Sequence, residues 1–331
     1  MINVALIGCG FMGRMHRAVY SELKSVKLTT VFDQHGDRSS RMAEKSDLEV
    51  ANSFEAILSD PEVHAVDICL PTHLHAEFSG KALRAGKHVV CEKPMALTVA
   101  DAEDMIREAK LADRKLMIAQ CIRFWPEYVA LKEMVDGGEF GKLLSLNLTR
   151  CGPFPTWSAE GWIGKEELSG GAALDMHIHD TDFALYLLGK PDSLHSRAVF
   201  DDHGPSHIFT TMGFGETIVH GQGGWNLPPG APFKMAFRAV FERGAAIFDS
   251  GPLTFYPQQG EPWTPDVPRM AATGVGGNIS DLGGYYFELD YFYNCVKNGE
   301  DLAKANPESS AFSLEVCLRE IAEARAAGGK G

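Results

Sequence analysis

Along the first third of the chain, apolar runs of strand length alternate with amphipathic segments of helix length. The strand-like runs are Asn3–Ile7, Lys27–Phe32, Ala65–Leu70, His88–Cys91 and Leu116–Ile118. Helical patterns cover Met12–Leu23, Asp37–Lys45, Phe54–Leu58, Ala76–Ala85 and Val99–Ala112. This rhythm predicts βαβ units and a parallel sheet, and runs that are apolar throughout suit a sheet covered on both faces.

After Arg123 the pattern changes. A helix over Tyr128–Asp136, an apolar run Leu143–Arg150 and a helix over Asp175–Leu188 are followed by Leu194–Phe200, Ile208–Phe214, Thr217–Gln222, Met235–Glu242 and Ala245–Asp249. These last runs alternate in polarity with no helix between them, which predicts an antiparallel sheet with one covered face. Glu242-Arg243-Gly244 reads as a hairpin tip, and Gly251–Gly277, rich in Pro, Gly and Gln, as a long loop. Helices over Tyr285–Lys297 and Ser309–Ala326 close the chain. The expected architecture is α/β in two domains. Residues 1–121 form a doubly wound parallel sheet, and residues 122–331 form an α+β domain with an open, mainly antiparallel sheet.

Composition narrows the function. With 45% hydrophobic and 23% charged residues in 331, the chain can bury an ordinary globular core, which excludes disorder, collagen and coiled coil. The 44 acidic against 31 basic residues give a net charge of −13, contrary to the lysine and arginine surplus that grips phosphate backbones. Nucleic acid is therefore not an expected partner. No stretch approaches the roughly 20 apolar residues needed to span a bilayer, and Met1–Gly10 carries no basic n-region. A soluble cytoplasmic protein without a membrane partner is the expectation. The seven cysteines are scattered without a CxxC, as small buried hydrophobes of a reducing compartment would be.

Gly8-Cys9-Gly10-Phe11-Met12-Gly13 follows the first predicted strand and opens the first helix, and Asp33 ends the second strand. This is a dinucleotide fingerprint in its required context. The first glycine permits a tight turn, the second lets a pyrophosphate approach the backbone, and the third lets helix pack on strand. The helix N-terminus supplies N–H groups to the phosphates. Asp33 is expected to accept the adenosine ribose hydroxyls and repel a 2′-phosphate, which favours NAD; Arg38 keeps NADP open.

Three further segments fall at predicted strand ends or open a helix: Leu70-Pro71-Thr72-His73-Leu74-His75, Cys91-Glu92-Lys93-Pro94, and Gly170 to Asp180 with its GG-x3-D-x3-H spacing. With the fingerprint, they make the chain resemble the Gfo/Idh/MocA oxidoreductases over nearly its whole length. The resemblance implies a Rossmann domain, a second domain that associates through its sheet into a homodimer or homotetramer, and a catalytic group matched by Lys93, Asp175 and His179. Chemistry supports those roles. A histidine suits abstraction of a hydroxyl proton near neutral pH, a carboxylate one turn away can hold its tautomer, and a lysine can stabilise a developing alkoxide. The resemblance also implies cofactor contacts from Pro71, Thr72, His75, Glu92, Lys93 and Gln120, beside those of Gly8, Gly10, Phe11, Met12, Gly13 and Asp33.

Weaker candidates surround these. Arg123 is a substrate contact or a structural ion pair. Phe154, Trp157 and Trp162 offer apolar faces for a sugar ring or serve as packing, with Trp162 placed among the substrate contacts. Asp175 and His179 are substrate contacts as well as catalytic groups. His177-x-His179 invites a metal reading, but on a helix the two rings diverge by about 200°, so no metal is expected and His177 is a substrate contact or a core residue. The expected activity is an NAD(P)-dependent dehydrogenase or reductase interconverting a secondary hydroxyl and a ketone on a sugar, sugar derivative or cyclitol. The alternative is an NAD-dependent glycosidase that acts by transient oxidation and elimination.

Overall fold

A computed structural model describes the chain apart from residues 157, 250, 271–281 and 329–331. Trp157 and part of the expected 251–277 loop thus lie outside the described residues. The chain divides into two compact units. The first comprises Met1–Cys121 with the described parts of Trp157–Trp162 and Arg269–Phe312; the second comprises Ile122–Thr156, Ile163–Pro268 and the rest from Ser313. The boundary expected at residue 121 marks the chain's first exit from the first unit, to which it returns twice.

In the first unit β1 (Ile2–Ile7), α1 (Phe11–Glu22), β2 (Val26–Phe32), α2 (Gly36–Ala43), β3 (Glu49–Val50), α3 (Phe54–Ser59), β4 (Ala65–Ile68), α4 (His75–Arg84), β5 (His88–Glu92), α5 (Val99–Ala112) and β6 (Leu116–Ala119) follow in turn. The strands lie in the order β3-β2-β1-β4-β5-β6, all paired in parallel. Their interior residues, among them Leu6, Val31, Ile68, Val90 and Met117, are fully buried, as apolar strands covered by helices on both faces must be. Ser53 and Thr98 cap α3 and α5 by accepting the amides of Ala56 and Asp101. The edge strand β3 has two residues, too few to show a period. The strand order reverses between β1 and β4, and ligand crevices of such sheets open at the carboxyl ends beside that point.

In the second unit α6 (Pro126–Gly137), β7 (Leu143–Pro153), α7 (Glu166–Ser169) and α8 (Ile178–Leu188) precede β8 (Ser193–Asp201), β9 (Gly204–Phe214), β10 (Thr217–Leu227), β11 (Lys234–Phe241), β12 (Gly244–Phe248) and β13 (Thr254–Pro257). The sheet order is β13-β12-β11-β7-β10-β9-β8. Its pairs are antiparallel except β7 with β10, which run parallel. The reason is connectivity: two helices intervene after β7, so it enters the sheet by a crossover and not by a hairpin. β13 replaces part of the loop expected over 251–277, because Phe255 packs in the core, pairs with Trp263 and stacks on its ring. One face of the sheet buries Leu146, Leu148, Val219 and Phe237; Ile218, Leu144 and Val199 stand exposed. The chain closes with α9 (Gly283–Asn298), in the first unit, and α10 (Pro307–Gly328).

Candidate active site

The three fingerprint glycines do three different things. Gly8 has φ +96°, and a Cβ there would meet the Cys69 carbonyl oxygen at 2.4 Å; a Cβ on Gly13 would meet the Gly8 carbonyl oxygen at 2.0 Å. Both are barred to larger residues by backbone atoms that cannot move aside. A Cβ on Gly10 would meet nothing within 4 Å, so the missing side chain leaves open space above the start of α1. That start has no side-chain cap and no acidic residue in its first turn, which leaves its N–H groups and dipole to a ligand anion. Phe11 and Met12 are half-buried on the same turn, and Met12 packs on the Leu6, Cys9, Val31, Met42 and Cys69 cluster.

Asp33, nearly buried just beyond β2, accepts the Cys9 amide through Oδ2 and the His35 amide through Oδ1, both at 2.8 Å. The carboxylate therefore braces the glycine turn, and each oxygen keeps a second lone pair for another donor. Arg38 Nη1 lies 3.9 Å from Asp33 Oδ1.

At the end of β4, Pro71 is half-buried and Thr72 opens a short 3-10 turn, Thr72–Leu74. His75 is buried. It is 1% exposed, and its ring lies 2.7 Å from the Pro94 carbonyl and 2.8 Å from that of Leu70. Burial pushes its pKa down, with the two carbonyls opposing the fall. The ring thus lies between the end of β4 and the Lys93-Pro94 turn, and its neutral form donates to one of the two carbonyls. Lys93, half-buried, follows β5, with a cis peptide to Pro94; its amide donates to Glu92 Oε2 at 3.1 Å. Gln120, directly after β6, is 1% exposed, and neither amide atom has a hydrogen-bond partner among the described residues. Two such atoms cost free energy until something donates to and accepts from them.

In the second unit Ala173–His177 forms a π-turn that runs into α8. The expected regular helix is therefore widened at this point, a feature that clusters at functional sites. Between Gly170 and Leu185 only Asp175, Met176 and His179 are not buried. A carboxylate and an imidazole thus share the one accessible face of a core helix. His177 is a core residue: it is fully buried, with Nε2 3.2 Å from Thr210 Oγ1 and 3.5 Å from Glu320 Oε2. Burial lowers its pKa, but Glu320 more than compensates and the net shift is upward. Arg123 is 3% exposed and bidentate on Asp182, Nε to Oδ2 at 2.8 Å and Nη2 to Oδ1 at 2.5 Å. This is the ion pair that was the alternative to a substrate contact. Trp162, in the first unit, is half-buried; Phe154 stacks on His203 with ring centroids 4.3 Å apart.

The sequence patterns did not point to His16, Asp67 or Glu288, which share no motif and gather only in the folded first unit.

The fold joins a parallel dinucleotide-binding type of sheet to a second, mainly antiparallel one. Residues 2–120 match the model of the oxidoreductase family with an NAD-binding Rossmann fold, and residues 128–247 match the GFO/IDH/MocA C-terminal domain. The chain belongs to the GFO/IDH/MocA family of oxidoreductases. It is 35% identical over 190 residues to myo-inositol 2-dehydrogenase of Thermotoga maritima, covering 57% of this chain and 55% of that protein. It is 30% identical over 191 residues to 2,7-anhydro-N-acetylneuraminate hydratase of Escherichia coli, covering 57% and 50%. The chain thus spans about half the length of these curated relatives. A solved levoglucosan dehydrogenase, in complex with NADH and levoglucosan, shares the fold with a TM-score of 0.86 at 21% identity, covering 98% of this chain and 97% of that one. Among the described residues no helix is long and apolar enough to cross a membrane.

Proposed function

We propose that the protein is an NAD(P)-dependent oxidoreductase that interconverts a secondary hydroxyl and a ketone on a sugar, sugar derivative or cyclitol. The observation that carries the reading is the π-turn, which leaves Asp175 and His179 as the accessible acid–imidazole pair of an otherwise buried segment. The glycine turn supports the coenzyme, since the space above Gly10 and the uncapped α1 suit a pyrophosphate. Gly8, Gly10, Phe11, Met12, Gly13, Pro71 and Thr72 line its path, Asp33 takes the adenosine ribose, and the orphaned Gln120 amide pairs with the nicotinamide carboxamide. Bound nicotinamide supplies the hydride acceptor. His179 takes the hydroxyl proton, Asp175 holds the imidazole tautomer, and the Lys93 ammonium steadies the negative charge that grows on the oxygen. The Asp33 carboxylate favours NAD over NADP. The sheet face carrying Leu144, Val199 and Ile218 is where we place a homodimer or homotetramer contact; a single-chain mass by light scattering would remove that assignment.

The resemblance to a hydratase supports a second reading, a glycosidase that oxidises transiently and eliminates. One experiment separates the two. Absorbance at 340 nm is followed with NAD⁺ or NADP⁺ over inositols, monosaccharides and glycosides, with released aglycone assayed in parallel. A steady rise with one polyol, lost in Lys93→Met and His179→Ala, is the expected result. Aglycone release without NADH accumulation refutes it in favour of the glycosidase.

A further inference from the structure

Beneath the Lys93 turn the first unit buries a chain of ionisable groups that the chemistry above leaves unused. His16, on α1 just past the glycine turn, is fully buried. Its Nδ1 lies 2.8 Å from Asp67 Oδ2 on β4, and its Nε2 lies 3.1 Å from Oε1 of Glu92, the last residue of β5. The other oxygen of Glu92 accepts the Lys93 amide. Asp67 is held from several sides: Tyr20 donates to Oδ2 at 2.7 Å, Tyr20 meets the Tyr293 hydroxyl at 2.6 Å, and Cys69 Sγ lies 3.6 Å from Oδ1. Tyr285 flanks the imidazole at 6.5 Å between ring centroids, and Glu288 on α9 is fully buried.

We propose that His16 is a positioning residue that anchors on Asp67 and holds Glu92, and through Glu92 the Lys93 turn, in register with the glycine turn of its own helix. Three arguments carry this. The ring is hydrogen-bonded on the Asp67 side and meets Glu92 through a charge contact at 3.1 Å that lacks hydrogen-bond alignment, so displacement of the ring changes the field at residue 92. Two buried carboxylates on adjacent strands would repel each other without a group between them. Burial opposes charging the His16 imidazole, yet Asp67 and Cys69 outweigh it and raise its pKa well above the ordinary value; burial and then Glu92 raise that of Glu288. A positive imidazole between Asp67 and Glu92 offsets part of the repulsion between them, and the raised Glu288 pKa limits what that neighbour adds to it.

The proposal rests on the oxidoreductase reading of Lys93, so its test includes an arm that needs no turnover. His16→Asn keeps a donor toward Asp67 but does not reach Glu92, whereas His16→Gln extends a donor to the Nε2 position. Amide hydrogen exchange of the peptide spanning residues 90–96 is compared with kcat and the coenzyme KM. His16→Asn is expected to speed exchange there about tenfold and to lower kcat by about 10- to 100-fold, the cost of a displaced catalytic group, with KM nearly unchanged. His16→Gln is expected to restore most of both. If His16→Asn does not fold, Glu92→Gln gives the same exchange readout. Equal behaviour of the two His16 variants would overturn the proposal, as would an effect confined to thermal stability. A stoichiometric metal lost with His16 would make the cluster a metal site and overturn it as well. A wild type that turns over no polyol refutes the activity while leaving the exchange result to decide the tether.

Discussion

Gly10 and Gly13 separate binding from folding within a single turn. Gly10 has φ −75° and ψ −154°, dihedrals open to alanine, and the added methyl meets nothing within 4 Å. Gly10→Ala should therefore keep the fold and raise stability by roughly 0.4–1 kcal/mol through the unfolded chain, or about 1–4 °C in Tm. The same methyl would enter the space proposed above for the pyrophosphate. Overpacking of about 1–3 kcal/mol converts to a loss of about 5- to 150-fold in coenzyme affinity. Gly13→Ala is the opposite case, because its Cβ would sit 2.0 Å from the Gly8 carbonyl oxygen and something in the backbone must shift. A cost of about 3 kcal/mol lowers Tm by roughly 6–12 °C. The assay is thermal unfolding without coenzyme, paired with NADH fluorescence titration. If Gly10→Ala binds NADH as tightly as the wild type, or if it unfolds as readily as Gly13→Ala, the placement of the phosphate is wrong.

Two further perturbations test the buried charges. Burial and then Glu92 raise the Glu288 pKa well above the ordinary value, whereas the unfolded carboxyl titrates at about 4.3. Between the two pKa values the native chain binds this proton more tightly than the unfolded chain, so the contribution, full below about pH 4, declines as pH rises toward the folded-state pKa. Glu288→Gln should gain Tm over the wild type increasingly from pH 5 to pH 8; a constant offset would contradict the assignment. Asp182 also accepts from Ser313 at 2.7 Å, and Asp182→Asn removes the carboxylate charge that faces the buried Arg123 guanidinium. Its expected cost is about 3–5 kcal/mol in urea unfolding, while Arg123→Met with Asp182→Leu recovers most of it.

What the sequence determined by itself is what lies within one strand, turn or helix. The parallel sheet, the glycine turn and the acidic end of β2 are readable because each glycine answers to a neighbour a few residues away and each strand shows its own burial pattern. The Asp175–His179 face was legible as spacing, but not the π-turn that widens it, since no residue type there demands one. The tertiary structure decided the partners of charged and polar side chains. His75 was placed against two carbonyls, Arg123 against a carboxylate 59 positions on, and His16 between residues 67 and 92. The physical reason is that a buried charge is tolerated only where a complementary group arrives from another element. Local pattern encodes which residues are buried; only the crossing of the elements settles which of them meet.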